Sequence, residues 1–420
     1  MRGQQQGVGT LAGALFLIKG GVLLALLAAV SRWGVVEPPS PRAVMHWPSD
    51  GAYTLESHFA TWDGAHYLLL SERGYAKGMA SCAFYPLYPL LIRAAAPLFG
   101  GHHLIAGLAL SNLFSLAAWV LFYWLARRRW GKRVAFWALV FLIAFPGSLF
   151  FQFVYTESLF LFLLMGLWWA LEERRYGWAA LCAGLLPLCR GVGAFVALPL
   201  AWHAVRVTPA EYWKRAGAWM RGILDRWPPP PCAGIKASVC SEKHSVAEAV
   251  PPIRAYWTPW PLPLLPVVGF GVYMALMWHW TGNPFEGFVA QKRWAAHSIH
   301  NLWDVPKFVI GFFSPTQWHA FRGSFLDRSV FVLLLYALPV LWRVDKELLI
   351  WAYVLGILPA MSGTFTSYIR FASCAFPLFI VLGMVLSRRE WRVLRYALLV
   401  IFVALHVVLL WRFVNFRWAG

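Results

Sequence analysis

The sequence predicts an all-α polytopic membrane protein, a bundle of about 11 membrane-spanning helices, some short or broken, with interfacial helices on the outer side. Three observations carry this. Of the 420 residues 60% are hydrophobic and only 13% charged, more apolar surface than one water-soluble core can enclose. Several windows hold the roughly 20 apolar residues that a ~30 Å hydrocarbon core demands, and no alternating segments of a β-barrel appear. The formal charge of +19 is gathered in short blocks between greasy runs. That is the pattern of cytoplasmic loops and excludes the continuous basic face of a nucleic-acid binder.

The elements follow in chain order. The first span covers about 11–30, contains Lys19 and lacks a small-residue cleavage site before Ser31-Arg32, so it reads as retained and not as a signal peptide. Residues 31–101 form a first external loop. Within it Phe84 to Gly100 is apolar enough to cross, but a crossing there would turn the block Arg127 to Arg133 outward; its three prolines and Arg93 suit a bent interfacial helix better. A span then leads to Arg127-Arg128-Arg129-Trp130-Gly131-Lys132-Arg133. About 134–151 and 154–171 make a hairpin ending at Glu172-Glu173-Arg174-Arg175. Residues 176–205 are too long for one span and short for two, which predicts two broken helices turning at Arg190. Broken helices are tolerated where they line a cavity.

Residues 206–260 carry eight Lys or Arg, four Asp or Glu and the run Pro228 to Pro231, and read as a basic cytoplasmic loop. About 262–280 and 328–342 flank an external loop, 281–327. About 347–361 and 371–386 form another pair, and about 393–412 is the last span. With the basic blocks inside, Asp63, Tyr155 and Glu157, Arg190, the loop from Gly282 to Trp294 and Arg370 all fall on the outer side. The whole chain, 1–420, reads as a single membrane domain.

An acid, several cations and aromatics on one face of a membrane suit a substrate that is anionic, lipid-attached and partly ring-shaped. A departing phosphate needs cations or oriented donors, an acceptor hydroxyl needs a base, and Trp or Tyr suit sugar faces. Each residue also has a plainer reading. Asp63 fits a helix cap, Glu157 and Tyr155 the head of a span, His66 a structural contact one helical turn from Asp63, and Arg370 a snorkelling side chain. Arg190 is harder to dismiss, since arginine in apolar sequence costs about 2.5 to 3.5 kcal/mol at mid-membrane without a partner or cavity. Lys292 lies in an external loop where positive charge is uncommon, and Gln291 and Trp294 beside it could meet sugar hydroxyls and rings. The six cysteines show no CxxC pair, and the Trp62-Asp63-Gly64 stretch offers one carboxylate where a divalent ion wants several oxygens, so no metal is expected.

The string TWDGAHYLLLSERGY at Thr61 to Tyr75, followed by FYPLYPLL, resembles the first external loop of the PIG-V-like mannosyltransferases. VYTESLFLFLL from Val154, LCRGVG from Leu188 and SYIRFASCAFPLFI from Ser367 extend the resemblance over most of the chain. Cys189 stands where that family more usually has Thr, and Tyr85 where it has Phe. The resemblance implies a GT-C-like bundle and an inverting glycosyltransferase using a polyprenyl-phosphate sugar on the non-cytoplasmic side, metal-independent and without a cofactor. Asp63 would be the general base toward a glycan, glycolipid or protein acceptor. Trp62, His66, Tyr155, Glu157, Arg190, Gln291, Lys292, Trp294 and Arg370 would bind substrate. The expected location is a bacterial inner membrane, the site facing the periplasm or exterior, with lipids and no nucleic acid as further partners. The rival readings are a lipid-linked-sugar flippase, which should show a repeat and paired broken helices at the midplane, and a catalytically silent lipid-binding relative.

Overall fold

The computed structural model describes residues 2–34, 45–48, 52–209, 259–294 and 297–420. Among these every regular element is a helix, and the only β pairing is two isolated bridges. Most of the expected basic loop, 210–258, lies outside the described residues.

Among the described residues five helices are long and apolar enough to cross a membrane. The first, α1, spans Arg2–Trp33. Next follow α2 (Asp63–Arg73) and α3 (Leu87–Ala95), the latter continued by a 3-10 turn over Ala96–Phe99. Pro89 sits in the first turn of α3, where its missing N–H costs nothing. Tyr88 and Ile92 are fully buried against the bundle, while Leu90 is exposed.

Helix α4, His103–Ala144, has 42 residues, about 63 Å if straight and twice the ~30 Å hydrocarbon core. It cannot be one crossing. Gly131 breaks it with φ 86 and ψ 166, a conformation open to glycine alone, and does so inside the block Arg127 to Arg133. The chain therefore turns where the basic residues predict. The second half stops at Ala144, shorter than the expected 134–151, because Pro146 supplies no N–H and a 3-10 segment, Pro146–Phe151, replaces the last turns.

Helix α5 (Glu157–Glu172) is apolar on every side and correspondingly buried between α4 and α6 (Tyr176–Cys189). Arg190 is extended, a 3-10 turn covers Gly191–Val196, and α7 runs over Ala197–Val207. These are the two broken helices expected on either side of Arg190. Helix α8 (Leu265–Thr281) leads to α9 (Glu286–Trp294) and α10 (Val305–Phe313), both in the connection to the next long helix. Helix α11 (Phe325–Val344) returns. The pair expected at 347–361 and 371–386 is fragmented into α12 (Lys346–Ala352), a π turn, α13 (Leu358–Gly363), α14 (Tyr368–Ala372) and α15 (Phe376–Leu386). Helix α16 (Arg392–Val414) is the last.

Charged groups collect at both ends of α5. At its C-terminal end Arg128 pairs with Glu173, Arg129 bridges Glu172 and Asp345, and Arg206 reaches Glu347 at 2.8 Å. Four of the basic blocks thus share one end of the bundle. At the other end, roughly 24 Å away along a 16-residue helix, stands Glu157. Helix α1 is fastened between them by Lys19, whose Nζ donates to Asn112 Oδ1 at 3.1 Å, the Phe151 carbonyl at 3.2 Å and Gln152 Oε1 at 2.9 Å, over the Trp119 ring.

Candidate active site

Glu157 is the first residue of α5 and Asp63 the first of α2, so two carboxylates are presented by two helix N-termini. Both positions complement the positive end of a helix dipole. Asp63 is not the cap itself. Trp62 takes that place with φ 55 and ψ −130, a backbone state costing on the order of 1–3 kcal/mol for a side chain of this kind. Such strain persists only where neighbours hold it. Here the Trp62 amide bonds to the Met45 carbonyl at 2.9 Å, and its indole meets Trp418 edge-on at 5.4 Å.

Arg370 joins the two carboxylates. Its Nη1 pairs with Asp63 Oδ2 and its Nε lies 3.1 Å from Glu157 Oε1, while Arg190 Nη1 lies 2.6 Å from the same oxygen. The result is a chain Asp63, Arg370, Glu157, Arg190, of zero net charge. Side-chain exposure grades along it: 1% for Glu157, 8% for Arg190, 13% for Arg370 and 21% for Asp63. Asp63 is the carboxylate that an arriving group can touch. The Arg190 and Arg370 guanidiniums lie over aromatic rings, Phe371 at 4.3 Å from Arg190 and Tyr155 at 5.5 Å from Arg370.

The backbone around the chain is drawn tight. Cys189 Sγ approaches the Thr156 carbonyl and Cys374 Sγ the Glu157 carbonyl. A Cβ on Gly147 would lie 2.1 Å from the Ile369 carbonyl oxygen, so only glycine lets the 3-10 turn meet α14. Three residues before α14, Thr364, Phe365 and Ser367, have positive φ. The segment carrying Arg370 is thus held in shape by its surroundings.

His66 is buried on α2, with Nδ1 2.8 Å from Ser81 Oγ, its ring stacked on Phe84 and edge-on to Trp294 at 5.1 Å. Burial holds its imidazole down to about 4, the Asp63 charge pulling only partly the other way. The nearer contacts are structural, yet Nε2 is left without a partner among the described residues. Trp294 donates from Nε1 to the Ala80 carbonyl at 3.3 Å. Gln291 is half-buried and Lys292 exposed, and among the described residues no hydrogen bond or ion pair joins either to the four charged groups. Arg293 instead donates to the Gly78 carbonyl at 2.6 Å, fastening α9 to the first loop.

The structure therefore unites Asp63, Tyr155, Glu157, Arg190 and Arg370, with Trp62, His66 and Trp294 alongside. It also brings in His297, which sequence reasoning missed. Its Nδ1 lies 3.2 Å from Ser362 Oγ, its ring 4.7 Å from Phe371, and desolvation, then the Arg370 and Arg190 charges, hold it down to about 3. Nothing in its sequence neighbourhood marks it. Asp327 was missed too, although the Ser324 to Asp327 spacing signals a helix start: the Ser324 hydroxyl accepts from the Asp327 amide at 3.2 Å.

Residues 48–202 match the family model described as "Mannosyltransferase (PIG-V)". This stretch holds Trp62, Asp63, His66, Tyr155, Glu157 and Arg190. No curated protein matches the chain. Among solved structures, the Archaeoglobus fulgidus oligosaccharyltransferase AglB, in complex with an inhibitory peptide and a dolichol-phosphate, aligns at 13% identity and a TM-score of 0.43, covering 97% of this chain and 56% of that one. The same organism's enzyme tethered to an acceptor peptide aligns at 14% identity and 0.44, with 97% and 55% covered. The chain spans a little over half the length of those proteins. The family match and the helices of membrane-crossing length together support a membrane glycosyltransferase.

Proposed function

We propose that this chain transfers mannose, with inversion, from a polyprenyl-phosphate donor to an acceptor hydroxyl on the non-cytoplasmic side of the membrane, with Asp63 as general base. The observation that carries the reading is the graded ion chain: two carboxylates bridged by Arg370, of which only Asp63 has an open side. An attacking hydroxyl must lose its proton as the bond to the anomeric carbon forms, and an accessible carboxylate at a helix start is placed to take it. The phosphate departs with the electron pair of the broken bond. Arg370 spends Nε and Nη1 on the carboxylates, and of a guanidinium's five N–H donors others remain for phosphate. Arg190 and Glu157, more deeply buried, hold Arg370 in place. Trp62 and Trp294 supply ring faces and edges for the sugar, with the buried Tyr155 under Arg370 and the buried His66 against Trp294 as their support.

The reaction needs no metal in this reading. Each carboxylate is already neutralised by a guanidinium, and a divalent ion would have to displace Arg370 to gain its oxygens. The acceptor is a glycan, glycolipid or protein hydroxyl, and the setting a bacterial inner membrane with the site toward the periplasm or exterior. The wide separation of the charged site from the basic end of α5 favours this over a flippase, which would put its polar groups near the midplane.

The test is Asp63→Asn in an assay of mannose transfer, or of slow donor hydrolysis, in the presence of EDTA. The parent should remain active with the chelator, and the variant should keep donor binding while turnover falls about 10²–10⁴-fold. Glu72→Gln, ten residues beyond Trp62 at the far end of α2 where the Glu72 carbonyl accepts from Arg93, should cost little. A fully active Asp63→Asn would move the base to Glu157.

A further inference from the structure

Asp327 is completely buried in the first turn of α11, far from Arg370 in sequence, and none of the motifs includes it. Its Oδ1 accepts a hydrogen bond of 2.6 Å from the backbone amide of Ile369. That amide belongs to the first turn of α14, where the neighbouring amides find backbone partners, Tyr368 on the Phe365 carbonyl at 3.3 Å and Arg370 on the Ser367 carbonyl at 3.1 Å, and the Ile369 amide takes the Asp327 carboxylate. The residue preceding the helix, Ser367, stands at φ 56 and makes no side-chain cap. Helix α14 is therefore capped from outside, by a carboxylate on another helix. Arg370 is the next residue.

The aspartate is itself anchored. Its amide donates to Ser324 Oγ at 3.2 Å, and His319 Nδ1, in turn 3.2 Å from Ser324 Oγ, lies 3.6 Å from Oδ2. The neighbouring Arg328 donates from Nε to the Gly311 carbonyl at 2.8 Å and from Nη1 to the Ser324 carbonyl at 2.6 Å, and its guanidinium lies 5.0 Å from the ring of Phe365 in the loop of positive φ. A loop with three unfavourable backbone states cannot set its own geometry. It needs fixed points, and the Ile369 amide, one residue before Arg370, is tied to another helix.

We propose that Asp327 is a positioning residue: by capping α14 it fixes where the Arg370 guanidinium stands between Asp63 and Glu157, and so the affinity of the site for a lipid phosphate. This rests on the reading of Arg370 as the phosphate-binding cation. Asn keeps a carbonyl oxygen in the position of Oδ1, whereas Ala leaves the amide unpaired.

Two measurements on the full chain in detergent test it: hydrogen exchange of the peptide covering 364–372, and binding of a short-chain polyprenyl phosphate. Asp327→Ala should speed exchange in that peptide at least tenfold and weaken binding by about the same factor, a tenfold change being about 1.4 kcal/mol. Asp327→Asn should restore both to parent values. Should Asp327→Ala fail to fold, Asp327→Ser, whose hydroxyl stops short of the amide, takes its place. Unchanged exchange in the Ala or Ser variant would overturn the capping role, as would an Asn variant that loses binding as Ala does. Arg370→Ala separates the two readings. If it binds polyprenyl phosphate like the parent, the phosphate reading of the site fails, and with it the link from Asp327 to affinity; if it weakens binding while Asp327→Ala loosens the peptide without weakening binding, positioning alone is overturned.

Discussion

Asp63 and Glu157 show how two acids at equivalent helix positions are given different work by burial. Glu157 lies in ion-pair contact with two guanidiniums and is closed off; Asp63 shares one and stays open. His66 and His297 are both held neutral well below the ordinary imidazole range. The sign of the resulting pH dependence is fixed. A histidine whose folded pKa is lowered binds no proton where the unfolded chain does, so stability is lost as pH falls from about 6.5 toward about 4, by at most about 1.4 kcal/mol per unit for His66. Thermal unfolding in detergent should show that decline, and His66→Asn should flatten it. The pH–rate profile of the parent should in turn have no inflection near 6.5. Of these residues Asp63 was legible because a motif surrounds it, and Arg190 because its charge stands in apolar sequence. His297 was not, since it reaches the site by the fold of a loop whose course leaves no periodic trace.

Helices α2, α5, α14 and the 3-10 turn at 146–151 meet at the site, and the closest approach is Gly147 on the Ile369 carbonyl. Gly147→Ala should push the turn away from α14 and disturb the ion chain at Arg370. The expected outcome is a lowered melting temperature together with weakened polyprenyl-phosphate binding; a variant with parent values of both would mean that the turn and helix yield without consequence. Sequence pattern located α5, α6, α11 and α16 well, because long apolar runs bounded by charge have few alternatives. It merged what the structure divides into α12 to α15, since the backbone there is set by distant partners such as Asp327 and Gly147, which a local reading does not contain. The early end of α4 was legible in Pro146 and is a matter of one missing donor.

Across the whole molecule, α5 carries a charged site at its first residue and an ionic knot at its last, so the two ends of one buried helix define two faces. Labelling of intact cells with a membrane-impermeant thiol reagent should reach a cysteine placed in the Gly282 to Trp294 loop and spare one placed at Lys236. The reverse would put the acids and cations on the cytoplasmic face. The clamp on Lys19 has a bearing on synthesis. Its three partners lie 93, 132 and 133 residues further along the chain. While the ribosome is still making the intervening segment, α1 holds an ammonium group in apolar surroundings with nothing to receive it, an expense of about 2.5 to 3.5 kcal/mol at a helix centre. The first helix is consequently a poor resident of the bilayer until Asn112 and Gln152 have followed it in, and biogenesis acquires a checkpoint: the N-terminal anchor becomes secure only when the turn that leads into α5 has arrived.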